Sequence, residues 1–158
     1  MKIAISGTPA TGKTSVAIAL SKLLGWELIE LNQLAEEKEL YCGHDEKRDC
    51  KIVDVERVSE EVKKIEKDVV IEAHYAHDIS CDVIVILHTN PAELRERMKE
   101  KGWSDDKIEE NVEAEIMNVC KEEARSSGRP FLDFETTKKS PEQTAREIQL
   151  SLKRLDLI

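Results

Sequence analysis

The sequence predicts an α/β fold of three layers, a five-stranded parallel sheet with helices on both faces. Three observations carry that prediction. Short apolar runs alternate with stretches of helical period along all 158 residues. Two of the runs, Val69-Val70-Ile71 and Val83-Ile84-Val85-Ile86-Leu87, are unbroken, as strands covered on both faces require. Between the first run and the first helical stretch stands Gly7-Thr8-Pro9-Ala10-Thr11-Gly12-Lys13-Thr14, which fills every fixed position of the pattern G-x-x-x-x-G-K-S/T.

The elements follow in order. Lys2 to Ser6 reads as a strand, and Ser15 to Leu24 as a helix carrying Val16, Ala19, Leu20, Leu23 and Leu24 at helical spacing. A strand at 27–30 leads into a short helical piece, Leu31 to Leu40. The polar run Tyr41 to Cys50 is too long for an ordinary connection and is expected to be a mobile loop, a substrate flap. The strands at 69–72 and 83–88 should flank the first strand or lie close to it. Asn90 as N-cap and Pro91 at the first position open a helix with Leu94 and Met98 inward, ending near Gly102. Ser104, Asp105 and Asp106 open another, whose Ile108, Val112, Ile116 and Val119 keep one period to about Ala124. A strand at 130–134 and a helix from Pro141 to Leu155 close the chain. Residues 1–158 are expected to form a single domain.

An excess of 33 Asp+Glu over 24 Lys+Arg gives a formal net charge of −9. That charge disfavours direct nucleic-acid binding and suits a basic protein partner. No signal peptide or membrane-spanning run is read, so a cytoplasmic protein without membrane contact is expected. Cys42, Cys50, Cys81 and Cys120 lack paired C-x-x-C spacing and are expected to be reduced thiols.

The glycine pattern carries the chemistry. Gly7 and Gly12 let the backbone curl so that successive N–H groups point inward, and the helix N-terminus adds its positive dipole end. Lys13 would reach the β- and γ-phosphates, and Thr14 would ligate magnesium; the expected ligands are ATP and Mg2+. Glu72 ends an apolar strand, where the magnesium shell is held in such proteins, and His74 follows two residues later as a candidate to orient or accept a proton. His77 and Asp78 read as ordinary loop residues.

The loop GTPATGKT, the acidic-x-His motif at Glu72 and His74, the segment ELYCGHDEKRDC and the run RERMKEKGWSDDKIEENVEAEI together resemble adenylate kinase isoenzyme 6. The likeness spans nearly the whole chain. The resemblance implies a P-loop NTPase of nucleoside monophosphate kinase type, with a monophosphate-binding segment at about 30–53 and a short lid at about 100–110. It further implies broad adenylate kinase activity (ATP + AMP to 2 ADP), ATP hydrolysis, and a part in late maturation of the small ribosomal subunit through transient binding of a small-subunit ribosomal protein. Carried over by position, Gly7, Pro9, Ala10, Thr11, Gly12, Lys13, Thr14 and Ser15 hold the nucleotide phosphates. Ala10 stands where many such loops have glycine. Arg97 and Lys101 fall on two phosphate-contacting positions that are often both Arg, and Lys101 keeps the charge without the bidentate fork.

Ordinary adenylate kinases hold the AMP phosphate with an Arg in the first helix of the monophosphate segment and another after the third strand. Here that helix offers Glu36 and Lys38, and the loop after Glu72 has no Arg. Arg48 or Lys47 would have to substitute. Three readings stay open: a monophosphate kinase, an ATPase switch with little kinase activity, and a small-molecule kinase of shikimate type.

Overall fold

The computed structural model describes residues 1–158. Along the chain the elements are β1 (Lys2–Gly7), α1 (Lys13–Leu24), β2 (Glu27–Glu30), α2 (Leu31–Glu37), β3 (Tyr41–Asp45), β4 (Cys50–Val53), α3 (Val55–Lys63), β5 (Val69–Glu72), β6 (Val83–His88), α4 (Pro91–Glu100), α5 (Asp105–Ile116), α6 (Val119–Ser126), β7 (Phe131–Glu135) and α7 (Pro141–Arg154). A 3-10 turn, Ala76–Asp78, follows β5.

The five parallel strands run in the order β2-β5-β1-β6-β7, so the two unbroken apolar strands do flank β1. Residue-by-residue alternation sorts the core into layers. Ile3, Ile5, Val83, Val85 and Leu87 pack under α1 and α7 with Leu20 and Ile148. Ala4, Val69 and Ile71 face α2 and α3 with Leu31, Val58 and Val62, while Ile84 and Ile86 meet Ala124 of α6. Each fully buried Val, Leu or Ile among them contributes about 1.5–3 kcal/mol. Register decides where the chemistry sits: Ile5 pairs with Glu72 and Gly7 with Leu87, so the loop after β1, the end of β5 and the end of β6 emerge at one sheet edge.

Three sequence expectations change. The polar run 41–50 is not a loop: β3 and β4 form an antiparallel hairpin, closed where Asp45 Oδ1 accepts the Lys47 N–H at 3.0 Å and the Arg48 N–H at 3.2 Å. That Asp side chain substitutes for a backbone turn partner. Between this hairpin and β5 lies a helix the alternation did not yield, α3, whose N-cap Asp54 accepts the Arg57 N–H at 3.1 Å. The helix opened by Ser104 does not run on to Ala124: Asn118, in the left-handed region at φ 53°, separates α5 from α6. Asn tolerates that conformation, and the break turns α6 back onto the sheet. Ile116 and Val119, expected on the inner stripe, are exposed as a result.

Candidate active site

The loop between β1 and α1 is built from backbone constraints. A Cβ on Gly7 would stand 2.5 Å from the Leu87 carbonyl oxygen and 3.1 Å from Thr11 Oγ1, so no side chain fits. Gly12 takes φ 90° as the N-cap of α1 and supplies no side-chain cap, so the first N–H groups of α1 point unpaired at the mouth of the loop. Ala10 adopts φ 69°, a left-handed conformation that explains why glycine is common there. The loop's carbonyls are held from within and behind. Thr8 O accepts from Thr11 Oγ1 at 2.8 Å and from Lys13 Nζ at 3.1 Å, and Thr11 O accepts from Thr136 Oγ1 at 2.9 Å. Arg97 donates to Ala10 O and Thr136 O, each at 3.3 Å, and pairs with Glu93 one turn earlier.

A cleft of about 290 Å³ opens in front of the loop, where Lys13, Thr14, Asn32, Glu72, His74 and Lys101 meet. Thr14 Oγ1 donates to Glu72 Oε2 at 3.3 Å. Desolvation pushes the Glu72 carboxyl above its usual range, against the pull of Lys13 and the Thr14 hydroxyl. Desolvation likewise lowers the Lys13 ammonium, and with the Lys13 charge it lowers the His74 imidazole below 6.5. Thr14 and Glu72 offer oxygen donors, a hydroxyl and a carboxylate, which suit magnesium better than a soft metal. Lys101 and Lys107 stack on the Trp103 ring at 5.7 and 3.9 Å from its centroid. A second cavity of about 400 Å³ lies beyond the loop, bounded by α4, Thr136 and the start of α7, and Ala10, Gly12, Ser15 and Lys101 line both.

The fold therefore gathers Pro9, Ala10, Gly12, Lys13, Thr14, Ser15, Glu72, His74 and Lys101 around one cleft. Gly7 and Thr11 lie behind it in the loop's frame, and Arg97 reaches the loop from α4 through its backbone. Two residues read differently from the sequence. His77 is no ordinary loop histidine: it is 3% exposed, with Nδ1 2.6 Å from Ser6 Oγ and Nε2 2.9 Å from Glu123 Oε2. Glu115 carries no motif of its own, yet it is buried and accepts from Thr8 in the loop; its place three and seven residues after the buried Val112 and Ile108 of α5 was the available signal. Arg48 stands away from the cleft in an ion pair with Glu110 of α5.

A family model described as AAA domain matches residues 3–118. The protein named "Putative adenylate kinase" of Methanosarcina barkeri is 41% identical over 154 residues, spanning 94% of this chain and 84% of that one. Its namesake in Methanosarcina acetivorans is 37% identical over 158 residues, with the same coverage of 94% and 84%. Shikimate kinase from Acinetobacter baumannii, solved with shikimate, superposes with a TM-score of 0.71 over 97% of this chain and 93% of that one, at 17% identity, a likeness of fold alone. The chain belongs to the adenylate kinase family that these archaeal proteins represent.

Proposed function

We propose that this chain transfers the γ-phosphoryl group of ATP to a nucleoside monophosphate, with AMP the expected acceptor, and hydrolyses ATP when water takes the acceptor's place. The observation that carries this reading is the single cleft in which Lys13, Thr14, Glu72 and His74 meet in front of the loop. The adenosine of ATP has room in the 400 Å³ cavity on the α7 side, and the acceptor enters from the side of α2, whose Asn32 lines the cleft. Residues 30–53 then act as the monophosphate-binding segment and residues 100–110 as a short lid.

In the transfer step the acceptor oxygen forms a bond to the γ-phosphorus while the bond to the β–γ bridging oxygen breaks, and ADP leaves with that electron pair. Lys13, with Arg97 and Lys101 from α4 and its end, stabilises charge on the phosphates. The neutral imidazole of His74 orients the nucleophile and takes its proton where the nucleophile is water or a protonated phosphate. Thr14 and Glu72 are the residues that would hold magnesium, whose charge screens the phosphate oxygens when bound.

Hydrolysis as the main activity is a second reading, favoured by one observation: no arginine lines the cleft, so the acceptor phosphate lacks a bidentate clamp. In either case the chemistry serves a cytoplasmic role in small-subunit ribosome maturation with a basic ribosomal protein as partner. The family resemblance and the net charge of −9 support that role. The test follows ATP consumption with and without each nucleoside monophosphate while resolving products. ADP formed two for one with loss of AMP supports the kinase; phosphate release indifferent to every monophosphate supports the ATPase.

A further inference from the structure

Glu115 lies near the end of α5, 8% exposed, and both of its carboxylate oxygens are in use. Oε2 accepts from the Thr8 hydroxyl, and Oε1 accepts the Thr89 N–H at 2.9 Å, with His88 Nδ1 3.6 Å from the same oxygen. Burial pushes this carboxyl up, but the neighbouring His88 ring and the bonds from Thr8 and Thr89 outweigh it and hold the group below 4.5, ionised. A buried charge is a costly way to fasten one helix to a sheet, since an apolar side chain would pack there at no such cost.

What the charge reaches is the phosphate loop. The Thr8 hydroxyl is held by Glu115, and the Thr8 carbonyl in turn accepts from Thr11 Oγ1 and from Lys13 Nζ. Thr89 continues the frame, its hydroxyl 2.8 Å from that of Thr136, which caps the Thr11 carbonyl. At its other end α5 begins directly after the turn carrying Lys101 and Trp103. Its Ile108 and Val112 pack with Leu94 and Met98 of α4 into a cluster that Trp103 and Ala10 touch. Arg48 of the hairpin pairs with Glu110 of the same helix.

We propose that Glu115 is a positioning residue for phosphoryl transfer, setting the pose of the loop and of Lys13 through Thr8 and tying that pose to the 100–110 segment at the far end of α5. The proposal rests on the reading that this loop holds the phosphates of ATP. A Gln at 115 keeps the size and the Thr89 bond through its carbonyl, but turns its NH2 toward Thr8, so the threonine hydroxyl must reverse from donor to acceptor.

The test is a double-mutant cycle of E115Q and T8V in the full chain, reading kcat and KM for ATP, equilibrium affinity for ADP, and thermal midpoint, beside K13A. The expected result is a fall in kcat of tenfold or more in E115Q and in T8V. ADP affinity should stay within threefold, the midpoint should stay near that of the parent, and the double variant should be no slower than either single one. Unchanged kcat in E115Q, multiplying losses in the double variant, or a loss that merely follows a lowered midpoint overturns the proposal. If K13A itself retains binding and turnover, the phosphate-loop reading fails, an outcome distinct from normal E115Q beside inactive K13A.

Discussion

The Lys13 ammonium donates to the carbonyl of Thr8, five residues back in its own loop, at 3.1 Å. The charge that a β–γ phosphate pair would attract thus rests on a loop oxygen, 8% exposed, with burial lowering its pKa. Replacing that oxygen with a phosphate exchanges a weak neutral acceptor for a charged one.

Lys13→Ala is therefore expected to abolish both transfer and hydrolysis, by 10²-fold or more in kcat, because the ammonium stabilises charge in the transition state of either reaction. The fold should survive, since no core side chain depends on it. Circular dichroism and a thermal scan beside the turnover assay check this; a folded variant with near-normal turnover would show that the loop is not the catalytic phosphate site.

Glu72 invites a prediction about stability as well as activity. Its folded-state pKa is raised above 4.5 by desolvation, so between 4.5 and the folded value the native state binds more protons than the unfolded chain. Stability then falls as pH rises through that window, and at neutral pH the full cost is present. Glu72→Gln removes the cost. Its thermal midpoint without nucleotide should exceed the parent's at pH 7.5 and the gap should close below pH 4.5, while magnesium-dependent turnover falls. An equal or lower midpoint at pH 7.5 would overturn the assignment of a strained, desolvated carboxylate.

His74 is expected to carry the pH dependence of the chemistry. Desolvation, Lys13 and His77 hold its imidazole below 6.5, so its neutral form persists into mildly acid solution. The acid limb of kcat should accordingly lie below pH 6.5 in the parent. His74→Ala should lower turnover with ATP affinity within several-fold and lose that limb. Parallel loss of affinity and rate with the limb intact would make His74 a structural residue.

The sheet and the cleft differ in how far the sequence disclosed them. Unbroken runs at Val69–Ile71 and Val83–Leu87 are strand-length and suit strands covered on both faces, which the sequence places at or near the flanks of β1 and the sheet puts on either side of it. The loop was equally legible, because Gly7 has no room for a Cβ. The β3–β4 hairpin escaped because its strands are largely exposed and lack apolar alternation, and its turn is closed by the Asp45 side chain. The break at Asn118 escaped because Ile116 and Val119 extend the helical period past a residue whose φ is positive. The helical spacing of Glu115 marks it as inward-facing, but its partner and that of His77 lie 107 and 71 residues away, which no local pattern encodes.

The acidic pairs Glu109-Glu110 and Glu122-Glu123 are already engaged within the chain. Glu109 accepts from Nε and Nη2 of Arg95 at 2.9 and 3.0 Å, Glu110 pairs with Arg48, Glu122 with Arg125, and Glu123 meets His77 at 2.9 Å. Exposed pairs of this kind bind their partners weakly, so a basic tail can compete for the carboxylates, but charge alone gives it little selectivity. Selectivity is expected from the nucleotide state: if residues 100–110 close over ATP, α5, which carries Glu109 and Glu110, is expected to shift with them, and hydrolysis to reverse the shift. Purified chain titrated with candidate small-subunit ribosomal proteins in apo, ATP-analogue and ADP states, at low and moderate salt, should reveal one whose affinity changes tenfold or more between the ATP and ADP states and survives moderate salt. Equal, salt-sensitive binding to every basic protein, indifferent to nucleotide, would sink the ribosomal role and leave a metabolic kinase.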